Sequence, residues 1–574
     1  MSLNRRNFLK QSATALGVVS AATLLPASIQ RALAIPAAST TGTIADVEHV
    51  VVLMQENRSF EQYLGTLAGI RGFSDKATLP IDGQPSIWQQ PDGKGGFILP
   101  FYLDSNSTMA QAMRSLPHGW NDGHQMWNHG RWDNWVFAKG PLTMGYFTRA
   151  DIPFHYALAD SFTVCDAYFS SCMGPTNTNR SHLMTGMIDI GATGGGPLLE
   201  NAPTNNVPLT WTTYPERLQN AGVSWQIYQG TIGNEPFKTS KAASATGDPD
   251  NPISPFNLLP QFFSAISHSS PNSAIAQRAC SIRTYAQFSS DVASGNLPQV
   301  SWLMPPLLCS EHPVFTPSDG ATYIAAILDA LTANPAVWSK TVLFINYDEN
   351  DGFFDHVVPP TPPENATFGQ SNVDAFGEIY DGDSNHPAGP VGLGPRVPMF
   401  VVSPWSKGAW TCSEVFDHTS VIRFIEKRFG VLEPNISAWH RAVCGDLTSA
   451  FDFTTPNASA VIVPSVIGLS ATATAQSSLP MPTVPVTQTQ PQQERGSRKA
   501  RALPYELFVE ANDSPSHGTV QLTFMNTGRA AVIFQVYSSI APTSVKRYTV
   551  AANTKLADLY GTGRRSRGNP WLTI

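Results

Sequence analysis

The sequence predicts an α/β fold, a mostly parallel sheet flanked by helices, with a small C-terminal β-sandwich module after it. Three observations predict this. Apolar, β-branched runs such as Val50-Val-Val-Leu-Met54 and Thr341-Val-Leu-Phe-Ile345 stop abruptly at polar or acidic residues, as buried parallel strands do. From about Tyr214 onward such runs alternate with helical stretches. Beyond residue 502, short segments of near-alternating polarity are separated by Gly, Asn and Pro turns.

Residues 1–34 read as an export signal. Arg5-Arg6-Asn7-Phe8-Leu9-Lys10 is a twin-arginine pattern, an apolar segment runs from Ala13 to Ile29, and Ala32-Leu33-Ala34 is a small-residue cleavage site. This predicts a periplasmic or secreted protein, exported already folded, with the twin-arginine translocation machinery as a partner. No other apolar stretch is long enough to span a bilayer. The net charge of −7 and pI near 6.0 argue against a nucleic-acid partner held by bulk electrostatics. The 574 residues leave room for a main domain over 45–455, a linker over 456–501 and a module over 502–574. Six widely spaced cysteines carry no Cys-x-x-Cys or Cys/His zinc spacing, and an oxidising compartment permits disulfides without saying which pairs form.

The first strand is followed by Glu56-Asn57-Arg58-Ser59. In an open α/β sheet, ligands collect beyond the carboxyl ends of the strands, which puts Glu56 and Asn57 in position to face a metal or phosphate. The same residues also suit a cap for the next helix, near Phe60 to Leu67. A region rich in glycine and proline leads to His118-Gly-Trp120-Asn-Asp-Gly-His124-Gln-Met-Trp127-Asn-His129. So many polar groups are costly to bury without partners, and pocket lining by imidazoles and indoles is the alternative to structural hydrogen bonding.

Gly174-Pro175 forces a turn, and Thr176 onward can open a helix whose unpaired N–H groups favour an anion. A hydroxyl there is placed to attack phosphorus, although Thr176 also suits a helix cap, and Thr178, Ser181 and Thr185 are neighbouring hydroxyls.

A helical stretch over Pro215–Asn220 precedes the strand Val223–Tyr228, and the strand Val300–Met304 is followed by Glu311-His312-Pro313. The helix Ala321–Leu331 feeds the strand Thr341–Tyr347, which runs into Asp348-Glu349-Asn350-Asp351. Oxygen-bearing side chains crowded at a strand end repel one another unless a cation compensates them, so this run predicts a metal site over a solvated loop. A final strand, Pro398–Val402, is followed by Asp417-His418-Thr419 and the helix Val421–Phe429.

Glu-Asn-Arg-Ser-Phe at 56–60, His-Gly-Trp at 118–120, Gly-Pro-Thr-Asn-x-Asn-Arg at 174–180, Glu-His-Pro at 311–313 and Asp-Glu-Asn-Asp-Gly-Phe-Phe-Asp-His-Val at 348–357 resemble the bacterial phosphocholine-preferring phospholipase C family. That family is related to a group of secreted acid phosphatases, and the resemblance implies an alkaline-phosphatase-like sheet. It makes Thr176 the nucleophile and Glu56, Asn57, Asp348 and Glu349, completed by Thr176 Oγ, the ligands of a divalent metal ion. An oxygen-rich set of that kind suits a hard cation. His118 and His312 become phosphoryl-site imidazoles, one of which protonates the leaving alkoxide. Trp120, His124, Trp127, Asn179 and Asp351 fall to substrate binding, with the indoles facing a choline ammonium. The implied substrate is phosphatidylcholine at a membrane or micelle surface. An acid phosphatase of the same family and a non-catalytic exported binding protein are the alternatives. A sulfatase of this fold would need a Cys-x-Pro-x-Arg segment, whereas Cys172 is followed by Met-Gly-Pro-Thr.

Ser470 to Gln493 is dominated by Ser, Thr, Ala, Pro and Gln, and a basic patch runs from Arg495 to Arg501; this is linker composition. Strands are then expected over Tyr505–Val509, Thr519–Phe524, Ala531–Tyr537 and Val545–Val550. They resemble about one copy of the C-terminal module of the same phospholipases, with an end near Arg567 that does not continue the strand pattern.

Overall fold

The computed structural model describes residues 26–77, 79, 81, 86–201, 209–229, 254–262, 274–456, 469–538, 545–561 and 572–573. The twin-arginine pattern, residues 457–468 of the expected linker and the arginine-rich stretch near residue 567 lie outside the described residues.

The central sheet is built from β1 (His49–Gln55), β2 (Thr163–Cys165), β3 (Trp225–Tyr228), β4 (Val300–Leu303), β5 (Thr341–Tyr347), β7 (Met399–Val402), β8 (Trp410–Cys412) and β9 (Lys499–Ala500). Their spatial order is β9-β8-β2-β7-β5-β1-β4-β3. Strands β1 and β5 occupy the middle. Every residue of β5, and all of β1 after His49, is buried, so both faces are covered and the runs are uniformly apolar rather than alternating.

β1 pairs in parallel with β4 and β5, so their carboxyl ends share one edge of the sheet. The register decides what meets there. Gln55 faces Tyr347, so the next residues, Glu56 and Asp348, emerge side by side. One strand departs from expectation: β7 runs antiparallel to both β5 and β2, and β8 and β9 follow it, so Pro398–Val402 is not the last strand. An apolar run carries no signal of its direction.

Helices cover the faces. They include α1 (Ala27–Ala34), α2 (Phe60–Leu64), α3 (Trp120–Trp127), α4 (Trp135–Lys139), α5 (Thr176–Thr185), α6 (Tyr214–Asn220), α7 (Pro317–Ala333), α8 (His418–Phe429) and α9 (Leu469–Gln476), with further helices such as Pro153–Ser161 and Tyr285–Ala293 among them. α7 starts a turn earlier than its apolar stripe predicts, because Thr316 Oγ1 accepts from Asp319 N at 3.1 Å and Pro317 takes the first helical position. Gly430, at φ 74°, ends α8 in the left-handed region. α1 carries the expected cleavage site and packs on α7. Ile29, Ala32 and Leu33 are buried, Trp338 Nε1 donates to the Ala32 carbonyl at 3.1 Å, and Lys407 Nζ donates to the Leu33 carbonyl at 2.9 Å.

The stretch read as a linker is a strap fastened to the main domain over its described part. Gln488 bonds the backbone of Leu99 and Phe97, Gln493 bonds Ser74 and Leu67, Arg149 pairs with Glu494, and β9 adds to the sheet edge beside β8. Its composition lacks core residues, but its glutamines supply hydrogen bonds that composition does not reveal.

The C-terminal module is a sandwich. One sheet is β10 (Leu507–Ser514), β11 (Thr519–Asn526) and β14 (Thr554–Gly561). The other is β6 (Gly369–Ser371), β13 (Lys546–Val550), β12 (Val532–Ser538) and β15 (Leu572–Thr573), in that order. β6 comes from the main domain, so the module is stitched to it by a parallel strand pair. Leu522, Phe524, Phe534, Val536, Tyr548 and Val550 fill the space between the sheets. Among the described residues, no helix is long and apolar enough to cross a membrane, and all six cysteines are free thiols.

Candidate active site

The edge shared by β1, β4 and β5 gathers the acidic residues. Asp348 Oδ1 accepts from Asn57 N and Glu349 N, both at 2.8 Å, which stitches the end of β5 to the end of β1. Asn57 and Asp351 sit at φ 56° and 61°, left-handed conformations that Asn and Asp adopt more readily than other L-residues. Glu349 Oε2 accepts from Asp351 N. The Asp351 carboxylate is held in turn by Ser115 Oγ at 2.5 Å and Leu116 N at 2.6 Å. Glu56, Asp348, Glu349 and Asp351 are all buried. Burial, reinforced by the neighbouring Asp348 charge, pushes the Glu56 and Glu349 carboxyls well above the usual range.

Thr176 opens α5 after Pro175, and its Oγ1 lies 3.4 Å from Glu56 Oε2. Four residues on, the same helix face presents Arg180. Its Nε donates to Glu56 Oε1 at 3.0 Å and lies 3.4 Å from Asp348 Oδ2, and its NH2 also reaches the Met54 carbonyl. The other hydroxyls turn inward. Thr178 is buried, Ser181 Oγ donates to the Met187 carbonyl at 2.7 Å, and Thr185 Oγ1 donates to the Ser181 carbonyl at 2.9 Å.

His118 and His312 face each other with ring centroids 6.3 Å apart. Each fixes its Nδ1 on a nearby carbonyl, that of Leu116 or Pro313, at 2.7 Å, which leaves both Nε2 atoms for the cleft. His118 Nε2 lies 3.9 Å from Glu349 Oε1. Burial holds His312 below its ordinary value. Ligand atoms of His118, His312 and Asp351 come within 4.8 Å of one another.

The donor set can be tested against a cation. Asn57 Oδ1, Asp348 Oδ2 and Glu349 Oε1 are buried without a hydrogen-bond partner. Orphaned oxygens beside crowded carboxylates are what a hard divalent ion would satisfy, so Glu56, Asn57, Asp348, Glu349 and the Thr176 hydroxyl fit one. A second cluster, Glu61, Asp355 and His356, is closed by protein: Arg396 Nε donates to Asp355 Oδ1 at 2.9 Å and His356 Nδ1 bonds Glu61.

Three expected pocket residues lie elsewhere. Trp120 and Trp127 are buried in the core, and Trp120 Nε1 donates to the Pro387 carbonyl at 3.0 Å. His124 packs against Trp120 with the ring planes tilted by 31° and its nitrogens on the Trp120 and Pro390 carbonyls, and burial pushes it down to about 4. This corrects the expectation that the indoles line the site, since a tryptophan run does not say which way the rings face. Asn179 shapes the turn before Thr176, with Oδ1 accepting from Cys172 N at 3.0 Å and Nδ2 donating to the Gly174 carbonyl at 2.9 Å. Asp351 is near the site but spent on the loop at 115–116. Two cations were not singled out in the sequence. Arg180 was legible from its spacing to Thr176. Lys139, buried with its Nζ 3.6 Å from Asp122 Oδ2, was not.

Comparison with known proteins gives this geometry its context. Residues 47–432 match the Phosphoesterase family and residues 499–574 match the bacterial phospholipase C, C-terminal domain. The chain is 47% identical over 578 residues to a non-hemolytic phospholipase C of Burkholderia pseudomallei, covering 97% of this chain and 81% of that one. It is 46% identical to the non-hemolytic phospholipase C of Pseudomonas aeruginosa, covering 98% and 80%. A hemolytic phospholipase C of the same organism is 41% identical, over 93% and 75%. The matched segments include every strand of the central sheet and each residue of the acidic edge, and the chain therefore belongs to the Phosphoesterase family, among its phosphodiester hydrolases of the phospholipase C group.

Proposed function

We propose that the enzyme hydrolyses phosphatidylcholine at a membrane or micelle surface to diacylglycerol and phosphocholine, after export through the twin-arginine pathway. The observation that carries this reading is the set of orphaned oxygens on Asn57, Asp348 and Glu349 beside the Thr176 hydroxyl. A bound divalent cation would lower the hydroxyl pKa and neutralise phosphoryl oxygens. Thr176 Oγ attacks phosphorus, its proton passing to Glu56 Oε2, to which the hydroxyl is hydrogen-bonded, and a phosphothreonine diester with the headgroup forms as the bond to the glycerol oxygen breaks. His118 or His312, in its imidazolium form with Nδ1–H held on a backbone carbonyl, gives its Nε2 proton to the departing alkoxide. Water then attacks phosphorus, the same imidazole takes a proton from it, and Glu56 returns its proton to the threonine oxygen as phosphocholine leaves.

Charge supports a diester with a cationic headgroup. Arg180 is already paired with Glu56 and Asp348, and Lys139 with Asp122. Four carboxylates outweigh one guanidinium and a divalent ion, which disfavours a dianionic monoester and attracts choline or ethanolamine. Side-by-side assay is the test. Phosphatidylcholine and phosphatidylethanolamine are expected to be cleaved at least about tenfold faster than a soluble phosphomonoester. A monoester rate above both would move the chain to acid phosphatase activity.

With the indoles in the core, headgroup choice does not rest on a tryptophan face. Trp120→Ala is expected to cost about 3–5 kcal/mol of stability in denaturant unfolding and to leave the choline-to-ethanolamine rate ratio unchanged. A changed ratio at unchanged stability would return Trp120 to the pocket.

A further inference from the structure

Glu311 is a fully buried carboxylate that the chemistry above does not use. Four groups point at it. Tyr63 OH and Tyr347 OH donate to Oε2 at 2.7 and 2.8 Å, and Gln55 Nε2 and His155 Nε2 lie 3.0 and 3.1 Å from Oε1. Its backbone is left-handed at φ 68°, a conformation uncommon for a residue with a Cβ. Its carbonyl accepts from Arg58 Nε at 2.7 Å, and Arg58 NH2 reaches the Phe315 carbonyl at 3.2 Å. α7 makes room for the carboxylate with Gly320, where a Cβ would fall 2.2 Å from Glu311 Cγ. A carboxyl group so deeply buried is costly unless its oxygens are hydrogen-bonded, and strained backbone kept in place by surrounding structure is a mark of functional sites.

The donors come from the end of β1, the end of β5, α2 and the helix Pro153–Ser161, so Glu311 ties the loop after β4 to the two strands that deliver Glu56 and Asp348. His312 is the next residue. Its ring makes one hydrogen bond, to the carbonyl of its own neighbour Pro313, so its aim depends on the backbone at 311 rather than on side chains from elsewhere. We propose that Glu311 is a positioning residue, which fixes the 310–315 loop so that His312 Nε2 faces the cleft at a set distance from His118 and the acidic edge. The proposal rests on the role given above to the paired imidazoles.

The test is a double-mutant cycle in the full chain. Glu311→Gln keeps the shape but replaces one acceptor with a donor amide. In the otherwise native chain it is expected to lower kcat on the order of 30-fold with KM and metal content little changed, whereas on a His312→Ala background it should cost less than about threefold. Equal losses in the two backgrounds would overturn the proposal. A second readout needs no turnover: the carbethoxylation rate of His312 by diethyl pyrocarbonate, followed by peptide mass spectrometry. It should change severalfold in Glu311→Gln while the rate at His118 holds, and an unchanged His312 rate overturns the positioning role. If the native chain cleaves no phosphodiester yet the His312 rate shifts, the functional reading fails and the positioning role stands. Should Glu311→Gln not fold, Tyr63→Phe, which removes one donor and keeps the carboxylate, is expected to give the same pattern with smaller changes.

Discussion

Thr176→Ala is expected to lower phosphodiester turnover by about 10⁴-fold or more while the chain stays folded and keeps the four metal-binding side chains other than its own. The hydroxyl makes one hydrogen bond, a long one of 3.4 Å to Glu56, so its loss should cost less than about 1 kcal/mol of stability. Neighbouring hydroxyls cannot replace it, because Ser181 and Thr185 are committed to backbone carbonyls and Thr178 is buried. Thr176→Ser, which retains a nucleophile on the same turn, should keep activity within about tenfold of the native chain. Steady-state rates, thermal unfolding and metal analysis on the two variants check this together. Native-like turnover in Thr176→Ala would remove the nucleophile assignment, and a collapsed fold in that variant would contradict the weak contact seen for its hydroxyl.

What the sequence made legible follows from length. Seven-residue β1 and β5 announce themselves because a buried parallel strand is apolar on both faces, and their polar ends mark the sheet edge where Glu56 and Asp348 meet. β2 and β8 have three residues and β9 two, too few for any periodicity, and all three were missed. β14 was missed as well, because Thr554-Lys-Leu-Ala-Asp-Leu-Tyr-Gly561 does not alternate cleanly: Ala557 and Leu559 are exposed, and Asp558 shares a side with Leu556 and Tyr560. The direction of β7 is decided by the connection that leads into it, not by Met399–Val402 themselves.

Within the site, residue type at the strand ends pointed to the acidic edge, the Gly-Pro turn offered Thr176 among neighbouring hydroxyls, and the family resemblance singled out His118 and His312. Facing was another matter. His118 and Trp120 are two residues apart, yet one ring opens to the cleft and the other enters the core, because Trp120 begins α3 and α3 packs inward. A motif dense in aromatic and polar residues is compatible with either outcome until the helix that carries it is placed. The strap over residues 469–501 makes the same point for polar segments: glutamines with no apolar company still bond the backbone of a neighbouring surface.

Replacing Glu349 by Gln, or Asp348 by Asn, should release the metal and abolish activity together. The two substitutions are chosen to keep shape, because Asp348 Oδ1 accepts two backbone N–H groups that Ala would leave buried and unpaired. Each removes one formal charge from a set that includes Glu56 and Asp351, and each puts an amide where an orphaned oxygen now faces its neighbours. Loss of a charged ligand should weaken metal binding by at least about 100-fold, more than the 10- to 100-fold typical of losing a residue that only orients a ligand. A chelator should inactivate the native chain and lower its unfolding temperature. Restoring metal at about 100 times its dissociation constant should return roughly 2.7 kcal/mol of stability, and neither variant should recover it at that concentration. Metal content after dialysis, read by atomic emission, separates the outcomes. If both variants keep stoichiometric metal, the orphaned oxygens at the ends of β1 and β5 are not its ligands. Arg180, which already bridges Glu56 and Asp348, would then be the cation that the acidic edge was built to hold.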